Sequence, residues 1–379
     1  MQTNKSILKI LPPQTIGIIG GGQLGRMMAI EAKYMGYNVI VLDPTPNCPT
    51  AQVADGQIVA PYDDMEAIKQ LTVKSDVITY EFENVDLDAA TYIEEAGKLP
   101  QGAFALEVTQ NREKEKNIMK EAGLPVPKFS IVHNGSECEA ALKEITLPAV
   151  IKTCRGGYDG KGQLKIETEQ DKEAAIQFAD QGGTFIIEQW ITFDKEISTV
   201  FTRSQSGEIT FFPISENDHK DHILYETIAP ARISDALSQK AREAATLLAE
   251  KINIVGTFAI EMFVKGEEIF INEMAPRPHN SGHYTIEACN VSQFSQHIRA
   301  ICGLPLPEII FHQNAMMMNV LGEDMPKALR ALSQLPEAYV HLYGKAEAKE
   351  KRKMGHVTFI AHELDELESY KRAYEEGLT

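Results

Sequence analysis

Apolar positions fall in short blocks over the first hundred residues, with amphipathic stretches between them. The block Thr15-Ile16-Gly17-Ile18-Ile19 reads as a buried strand, 23–35 as a helix, 38–42 as the next strand and 76–80 as a later one. Strands alternating with helices predict parallel strands joined by crossovers, an open α/β unit. The pattern changes near residue 110. Residues 111–122 are densely charged and helical, and Gly123, Pro125 and Pro127 close the helix. Strand-like segments follow at 149–153, 163–167, 185–190, 196–203, 208–214, 255–264 and 268–274, interrupted by helices at about 235–252 and 285–301. That mixture predicts an α+β unit. The run Gly303-Leu304-Pro305-Leu306-Pro307 reads as a boundary, and 314–321, 338–343 and 356–361 predict a small β-rich C-terminal piece.

Composition narrows the class. The 379 residues are 43% hydrophobic and 24% charged, enough for a sizeable core and for two or three domains. Long disorder, collagen-like repeats and disulfide scaffolds are excluded. Thirty-seven basic residues against 54 acidic ones give a formal charge of −17, which argues against a general nucleic-acid binder but not against small phosphorylated ligands. Cys48, Cys138, Cys154, Cys289 and Cys302 are scattered, with no CxxC or Cys/His cluster, so neither a zinc site nor a disulfide framework is expected. The N-terminus does not read as a signal peptide, and no apolar stretch approaches the ~20 residues that span a bilayer. These features predict a protein of the cytoplasm with no membrane partner.

Two glycine-rich loops carry candidate chemistry. Gly20-Gly21-Gly22-Gln23-Leu24-Gly25 fits G-x-G-x-x-G between a strand and a helix, and Asp43 closes the next strand 18 residues after Gly25. In isolation this is a dinucleotide fingerprint. A tight turn, or a site for another phosphorylated ligand, is the preferred reading over NAD, and Gln23 could hydrogen-bond such a ligand. The second loop follows Lys152: Thr153-Cys154-Arg155-Gly156-Gly157-Tyr158-Asp159-Gly160-Lys161-Gly162-Gln163. G-x-x-x-x-G-K-[ST] cannot be threaded through it, and a strand follows. Its four glycines, with Lys152, Arg155 and Lys161, suit a hairpin that closes over phosphates by its backbone N–H groups; a flexible surface hairpin is the plainer alternative.

A third feature is a pair of carboxylates. Strands 255–264 and 268–274 flank a turn at Lys265-Gly266-Glu267, and a three-residue loop centred on Glu267 sets Glu261 opposite Glu273. Like charges directly opposite repel. Both lie in apolar strands, and a divalent cation shared with substrate phosphates is the economical counter-charge. Ala275-Pro276-Arg277-Pro278-His279-Asn280-Ser281-Gly282-His283 follows at once and could orient a small anion or acyl-phosphate. His279 is equally readable as an ordinary capped loop histidine. Glu188-Gln189-Trp190-Ile191, at a strand end, could present backbone groups to a base edge.

Together, Lys152, the 156–162 loop, Glu188 to Ile191, Glu196, Glu261 and Asn272-Glu273 resemble the ATP-grasp carboxylate–amine ligases. More closely, Gly22-Gln23-Leu24-Gly25-Arg26-Met27, the Arg155–Gln163 loop, the Asn272–His283 segment and Lys353-Met354-Gly355-His356 resemble the 5-(carboxyamino)imidazole ribonucleotide synthase family of bacterial purine biosynthesis. The resemblance covers nearly the whole chain. It implies a three-domain α/β and α+β architecture: an N-terminal open parallel α/β domain (1–110), a central ATP-grasp domain (111–305) and a small β-rich C-terminal domain (306–379), in a homodimer. The implied reaction joins 5-aminoimidazole ribonucleotide and bicarbonate, driven by cleavage of ATP to ADP and phosphate with Mg²⁺. By motif, Arg112, Lys152, Gly157, Tyr158, Asp159, Gly160, Lys161, Gly162, Gln163, Glu188, Gln189, Trp190, Ile191, Glu196, His219, Asn272 and Glu273 would contact ATP. Glu261 and Glu273 would hold magnesium.

The implied mechanism gives the remaining residues roles. Bicarbonate oxygen attacks the γ-phosphate to give carboxyphosphate, a step governed by positioning and electrostatics. Arg277, His279 and Asn280 would hold the carboxyphosphate or its CO₂, and Tyr158 and Asp159 would help close the site over the weakly nucleophilic amine. Gln23 and Leu24 would line the ribonucleotide pocket with Glu81 nearby, and Arg352 and Lys353 would take its phosphate. The rest of the charge run 349–353 reads as a solvated face. Rival readings are another ATP-grasp ligase, such as a formate-using glycinamide ribonucleotide transformylase; an NAD-dependent oxidoreductase, which leaves the 150–283 motifs unexplained; and a nucleotide sensor, which has no need of a complete metal site.

Overall fold

The first apolar runs form a four-stranded parallel sheet in the computed structural model of the chain, which describes residues 9–156 and 162–376. Strands β1 (Thr15–Ile19), β2 (Asn38–Leu42), β3 (Gly56–Ile58) and β4 (Val77–Tyr80) lie in the order β3-β2-β1-β4. Helices α1 (Gln23–Tyr34), α2 (Met65–Lys74), α3 (Leu87–Glu95) and α4 (Ala103–Thr109) cover them. Ile16, Ile18, Val39, Val41 and Ile78 are fully enclosed, as a parallel sheet buried on both faces requires. The chain leaves β1 first to one side and later returns on the other at β4. The crevice beyond the carboxyl ends of β1 and β4 is therefore the topological switch point, where α/β sheets take their ligands.

Helix α5 (Arg112–Glu121) starts where the charged stretch predicts it, and the Asn111 side chain caps it by accepting from the Glu113 and Lys114 amides. Gly123, at φ 72°, ends it as expected. A small antiparallel sheet follows, with β5 (Phe129–Val132), β6 (Ala149–Thr153), β7 (Gln163–Ile166) and β8 (Phe185–Gln189) in the order β5-β8-β6-β7. Helices α6 (Gly135–Glu144) and α7 (Asp171–Ala179) bury Cys138, Leu142 and Ala175 against Ile151, Phe185 and Ile187.

The third sheet is the largest. Its nine strands are β9 (Lys195–Arg203), β10 (Ile209–Phe211), β11 (Ser215–Lys220), β12 (Ile223–Ala229), β13 (Gly256–Lys265), β14 (Glu268–Ala275), β15 (Asn314–Leu321), β16 (Tyr339–Leu342) and β17 (Lys353–Ala361). They run β14-β13-β9-β11-β12-β15-β17-β16, with β10 also on β9. Helix α8 (Asp235–Ile252) lays Leu237, Ala241 and Leu248 on Phe201, Phe258 and Ile260. The C-terminal strands thus continue the central sheet: Met316, Met317 and Met318 of β15 pair with Ile228, Thr227 and Glu226 of β12.

Three sequence expectations change. The single helix at 285–301 is two, α9 (Thr285–Ala288) and α10 (Gln293–Ile301), because Ser292 accepts from the Ser295 amide and caps a new start. The hairpin β11–β12 is an addition: β11, Ser-Glu-Asn-Asp-His-Lys, carries no apolar residue, so nothing in its pattern marks a strand to pair with the apolar β12. The C-terminal segment also carries helices α11 (Met325–Gln334) and α12 (Leu364–Glu376), whose Ala328, Ala331, Leu367 and Tyr374 cover one side of its strands.

Candidate active site

The β13–β14 hairpin turns on Gly266, at φ 57°, and Glu267, with Lys265 directly paired to Glu268. A regular ladder from that two-residue turn would set Glu261 opposite Asn272. The register instead shifts between Glu261 and Met262, so that Met262 faces Ile271 and Glu261 faces Glu273. Asn272 is the extra residue of a β-bulge, a device that re-aims side chains near functional sites. The sequence reading reaches the same pairing from a three-residue loop. The loop is shorter, and the bulge makes up the difference.

The two carboxylates differ in surroundings. The Glu261 side chain is about 10% exposed and that of Glu273 about 45%. Burial first, then the facing Glu273 and Glu196, push the Glu261 pKa well above the usual carboxylate range. His279 Nε2 lies 3.5 Å away but supplies little charge, since burial and the neighbouring Arg277 hold that imidazole neutral. Arg112 Nη1 is 3.7 Å from Glu273. A pair of facing carboxylates, one buried without a full counter-charge and one open to the cavity, fits a divalent cation. No group of three or more His, Cys, Asp or Glu among the described residues could hold a metal, so such an ion would complete its shell with phosphate oxygens and water.

Cations converge on the same space from several elements. Lys152 of β6 pairs with Glu188 of β8 at 2.8 Å, and Glu188 pairs on its other oxygen with Lys116 of α5 at 2.9 Å. Burial alone would raise the Glu188 pKa, but the two ammonium groups outweigh it and hold the carboxylate ionised. Arg277 donates from Nε to Glu83, just beyond β4, at 2.7 Å. His219 Nδ1 of β11 sits 3.0 Å from Glu196 of β9; burial opposes its charging, yet Glu196 and Glu261 raise its pKa overall.

These groups surround a cavity of about 620 Å³. Of the residues singled out in the sequence, Arg112, Lys152, Gln163, Trp190, Glu196, His219, Glu261, Asn272, Glu273, Arg277, His279, Asn280 and Lys353 line it. Asn280 Nδ2 is enclosed there without a hydrogen-bond partner among the described residues. Phe193 and Phe263, stacked with ring centroids 4.6 Å apart, add an apolar wall with Leu224. Gly157, Tyr158, Asp159, Gly160 and Lys161 lie outside the described residues.

Other expected residues sit elsewhere. Glu188 is buried between its two lysines, its side chain supporting Lys152 rather than facing the cavity. Gln189 Nε2 donates to Thr146 at 3.3 Å, and neither Gln189, Ile191 nor Gly162 is among the cavity's lining residues. The Leu24 side chain packs into the core with Met27, Met28 and Ile18, outside the lining of this cavity, because it falls on the inner face of α1. Gln23 is half-buried on the same turn. Arg352 is exposed, with Nη1 on the Glu347 carbonyl, whereas Lys353 begins β17 and reaches the cavity. Sequence reasoning missed Glu83, Glu115 and Lys116. Glu115 stands three and four residues before Ile118 and Met119, and Lys116 three before Met119, so charges on the apolar face of a helix were the available signal.

The first glycine loop is filled by the protein itself. Glu81 accepts from the Gly22 amide and, at 2.7 Å, from the Gly25 amide, while Asp43 accepts from the Gly21 amide at 2.7 Å. The α1 N-terminus therefore has its anion already, supplied from the ends of β4 and β2. A Cβ on Gly21 would approach Cys48 Sγ to 2.2 Å and one on Gly22 would approach Glu81 to 2.5 Å, which accounts for the glycines without a dinucleotide.

A small antiparallel sheet facing a large one, with phosphate-type cations on the first and paired carboxylates on the second, defines an ATP-grasp enzyme. Residues 117–294 match the ATP-grasp domain, 13–110 the ribonucleotide synthetase preATP-grasp domain, and 315–370 the phosphoribosylaminoimidazole carboxylase C-terminal domain. The chain is 49% identical over 358 residues to the N5-carboxyaminoimidazole ribonucleotide synthase of Bacillus subtilis, covering 94% of each. It superposes on N5-carboxyaminoimidazole ribonucleotide synthetase in an ADP complex with a TM-score of 0.94 and 51% identity, over 97% of each chain. The Aspergillus clavatus N5-carboxyaminoimidazole synthase, in complex with ADP and the aminoimidazole ribonucleotide, gives 0.88 at 31% identity, over 96% of this chain and 98% of that one. The chain belongs to the N5-carboxyaminoimidazole ribonucleotide synthase family.

Proposed function

We propose that the protein carboxylates 5-aminoimidazole ribonucleotide with bicarbonate, cleaving ATP to ADP and phosphate, in purine biosynthesis. The observation that carries this reading is the single cavity in which Lys152, Arg112, Glu261 and Glu273 meet Arg277, His279, Asn280 and Lys353. The first four suit a nucleotide polyphosphate and the last four a second, anionic substrate. Magnesium held by Glu261 and Glu273 would offset phosphate charge during phosphoryl transfer. Arg112, Lys152, Gln163, Trp190, Glu196, His219 and Asn272 would orient the nucleotide, with Phe193 and Phe263 beside its base. Arg277, set by Glu83, would hold the activated carboxylate, and neutral His279 and Asn280 can hydrogen-bond it without a competing charge. Lys353 would receive the ribonucleotide phosphate near the switch point between β1 and β4. The units 1–110, 111–305 and 306–379, a homodimer and a place in the cytoplasm belong to the same reading, which the family resemblance supports. Among the described residues no helix is long and apolar enough to cross a membrane.

Phosphate release from Mg-ATP tests the proposal. Release should require the ribonucleotide and rise with bicarbonate. A requirement for glycinamide ribonucleotide and formate would keep the nucleotide site and overturn the substrate, and no release with either pair would overturn the ligase.

A further inference from the structure

One turn of α5 touches three consecutive residues of the bulged strand. Lys116 donates to the Asn272 carbonyl at 2.7 Å, Arg112 approaches Glu273 at 3.7 Å, and Glu115 accepts from the Met274 amide at 2.7 Å. Lys116 does more than grip the bulge. Its ammonium, about 1% exposed, also reaches the Ile271 carbonyl at 3.3 Å and Glu188 at 2.9 Å. The two backbone carbonyls take its hydrogen bonds, and Glu188 Oε1 is its ion-pair partner. Glu188, about 3% exposed, then holds Lys152 at 2.8 Å on its other oxygen. A single buried cation is thus bonded to the backbone just before Glu273 and, through one carboxylate, to the lysine across the cavity.

Burying an ammonium is costly, and packing alone does not call for one at this place. A leucine or methionine would fill the α5–β14 contact. The charge has a use only if both of its partners must be held in fixed relation. Phosphoryl transfer imposes that requirement, because the cation on the phosphates and the carboxylate on the metal must be matched to within a fraction of an ångström.

We propose that Lys116 is a positioning residue that couples Lys152, through Glu188, to Glu273, through the carbonyl of the bulged Asn272, so that the phosphate lysine and the metal carboxylate are set as one unit. The inference rests on the reading of this cavity as a Mg-nucleotide site. Lys116 lies outside the residues that line the cavity, so its role is to hold other groups in place.

The test measures Mg-ADP binding by calorimetry, and the KM for Mg-ATP, the half-saturating Mg²⁺ and the KM for the ribonucleotide by phosphate release, in wild type, K116M, K116R and the double variant K116M/E188Q. Loss of an orienting group behind a metal ligand typically costs about 10- to 100-fold in affinity or activity. K116M should therefore weaken Mg-ADP binding and raise the Mg-ATP and Mg²⁺ constants together by about that factor, with the ribonucleotide KM held within about twofold. K116R should recover part of the loss. K116M leaves Glu188 with one cation; should that variant not fold, the double variant removes the buried charge pair in neutral form and decides the matter. Elevated nucleotide and Mg²⁺ constants in a folded double variant support the coupling. Wild-type constants in either folded variant, even with a lowered Tm, overturn it, and so does a loss confined to kcat. If wild type itself binds no Mg-ADP, the nucleotide-site reading fails rather than the coupling.

Discussion

Two carboxylate pairs, one beyond the strand ends of the parallel sheet and one within the largest sheet, meet opposite fates in this molecule. Asp43 and Glu81, beyond β2 and β4, each accept backbone N–H groups of the glycine loop. Glu261 and Glu273, in β13 and β14, face one another across a bulge, and the nearest imidazole to Glu261 is a neutral one. The first pair completes a helix N-terminus; the second is left with charge to be balanced. Both stand beside glycine- or hairpin-built loops that sequence motifs associate with phosphate. What separates structure from site is the count of donors already supplied by the chain.

Breaking the second pair should have the largest effect. Glu273→Ala should cut turnover by about 100- to 1,000-fold, the scale of removing one fixed electrostatic partner from a reaction centre. Near-normal kcat with unchanged Mg²⁺ dependence would remove the metal assignment. The next effect sharpens the division of the cavity. Lys353→Ala should raise the ribonucleotide KM by about 10-fold, the worth of one charge-assisted hydrogen bond, while the ATP KM stays within about twofold. Equal shifts in both constants would deny Lys353 a phosphate of its own.

Breaking the first pair should cost stability. Glu81→Ala removes the acceptor of two helix-end amides and should lower unfolding free energy by about 1–2 kcal/mol, read by urea denaturation. An unchanged midpoint would show that the loop holds its shape without Glu81. The smallest effect is a pH trend in the second pair. Because the Glu261 pKa is raised, mainly by burial, the ligand-free fold keeps a proton that the unfolded chain releases in the ordinary carboxylate range. That stabilisation is fully present below the unfolded pKa and is lost as pH climbs through the raised one. Mg²⁺ with ADP relieves the loss, so its thermal shift should be about 2–4 °C larger at pH 8.5 than at pH 6. A shift that is equal or smaller at the higher pH would contradict the paired-carboxylate site.

Legibility in the sequence followed the same divide. Glu261 and Glu273 stood out because each is the one charge inside an apolar strand. Lys152 and the glycine hairpin after it were equally plain. A motif position says nothing about which side of a helix a side chain takes, and α1 turns the Leu24 side chain into the core. His219 came from the resemblance alone. Its hairpin, Ser215 to Ala229, alternates too little to read as strands, and its tip places Asp221 and His222 at φ 50° and 64° with no glycine to announce a turn. Lys116 and Glu115 lie in a stretch legible only as a densely charged helix, and its packing is what buries them.

The sequence by itself determined the strands and helices that carry strong apolar periods, the acidic pair, the phosphate-type cations and the family. These depend on neighbours within a few residues, which local patterning records. Only the tertiary structure decided the rest. It filled the first glycine loop with Asp43 and Glu81, shifted the β14 register by one residue, joined the C-terminal strands to the central sheet and drew Lys116 between Glu188 and Asn272. These depend on groups from about a dozen to hundreds of residues apart, and on which donors and acceptors remain unsatisfied once the chain has closed around them.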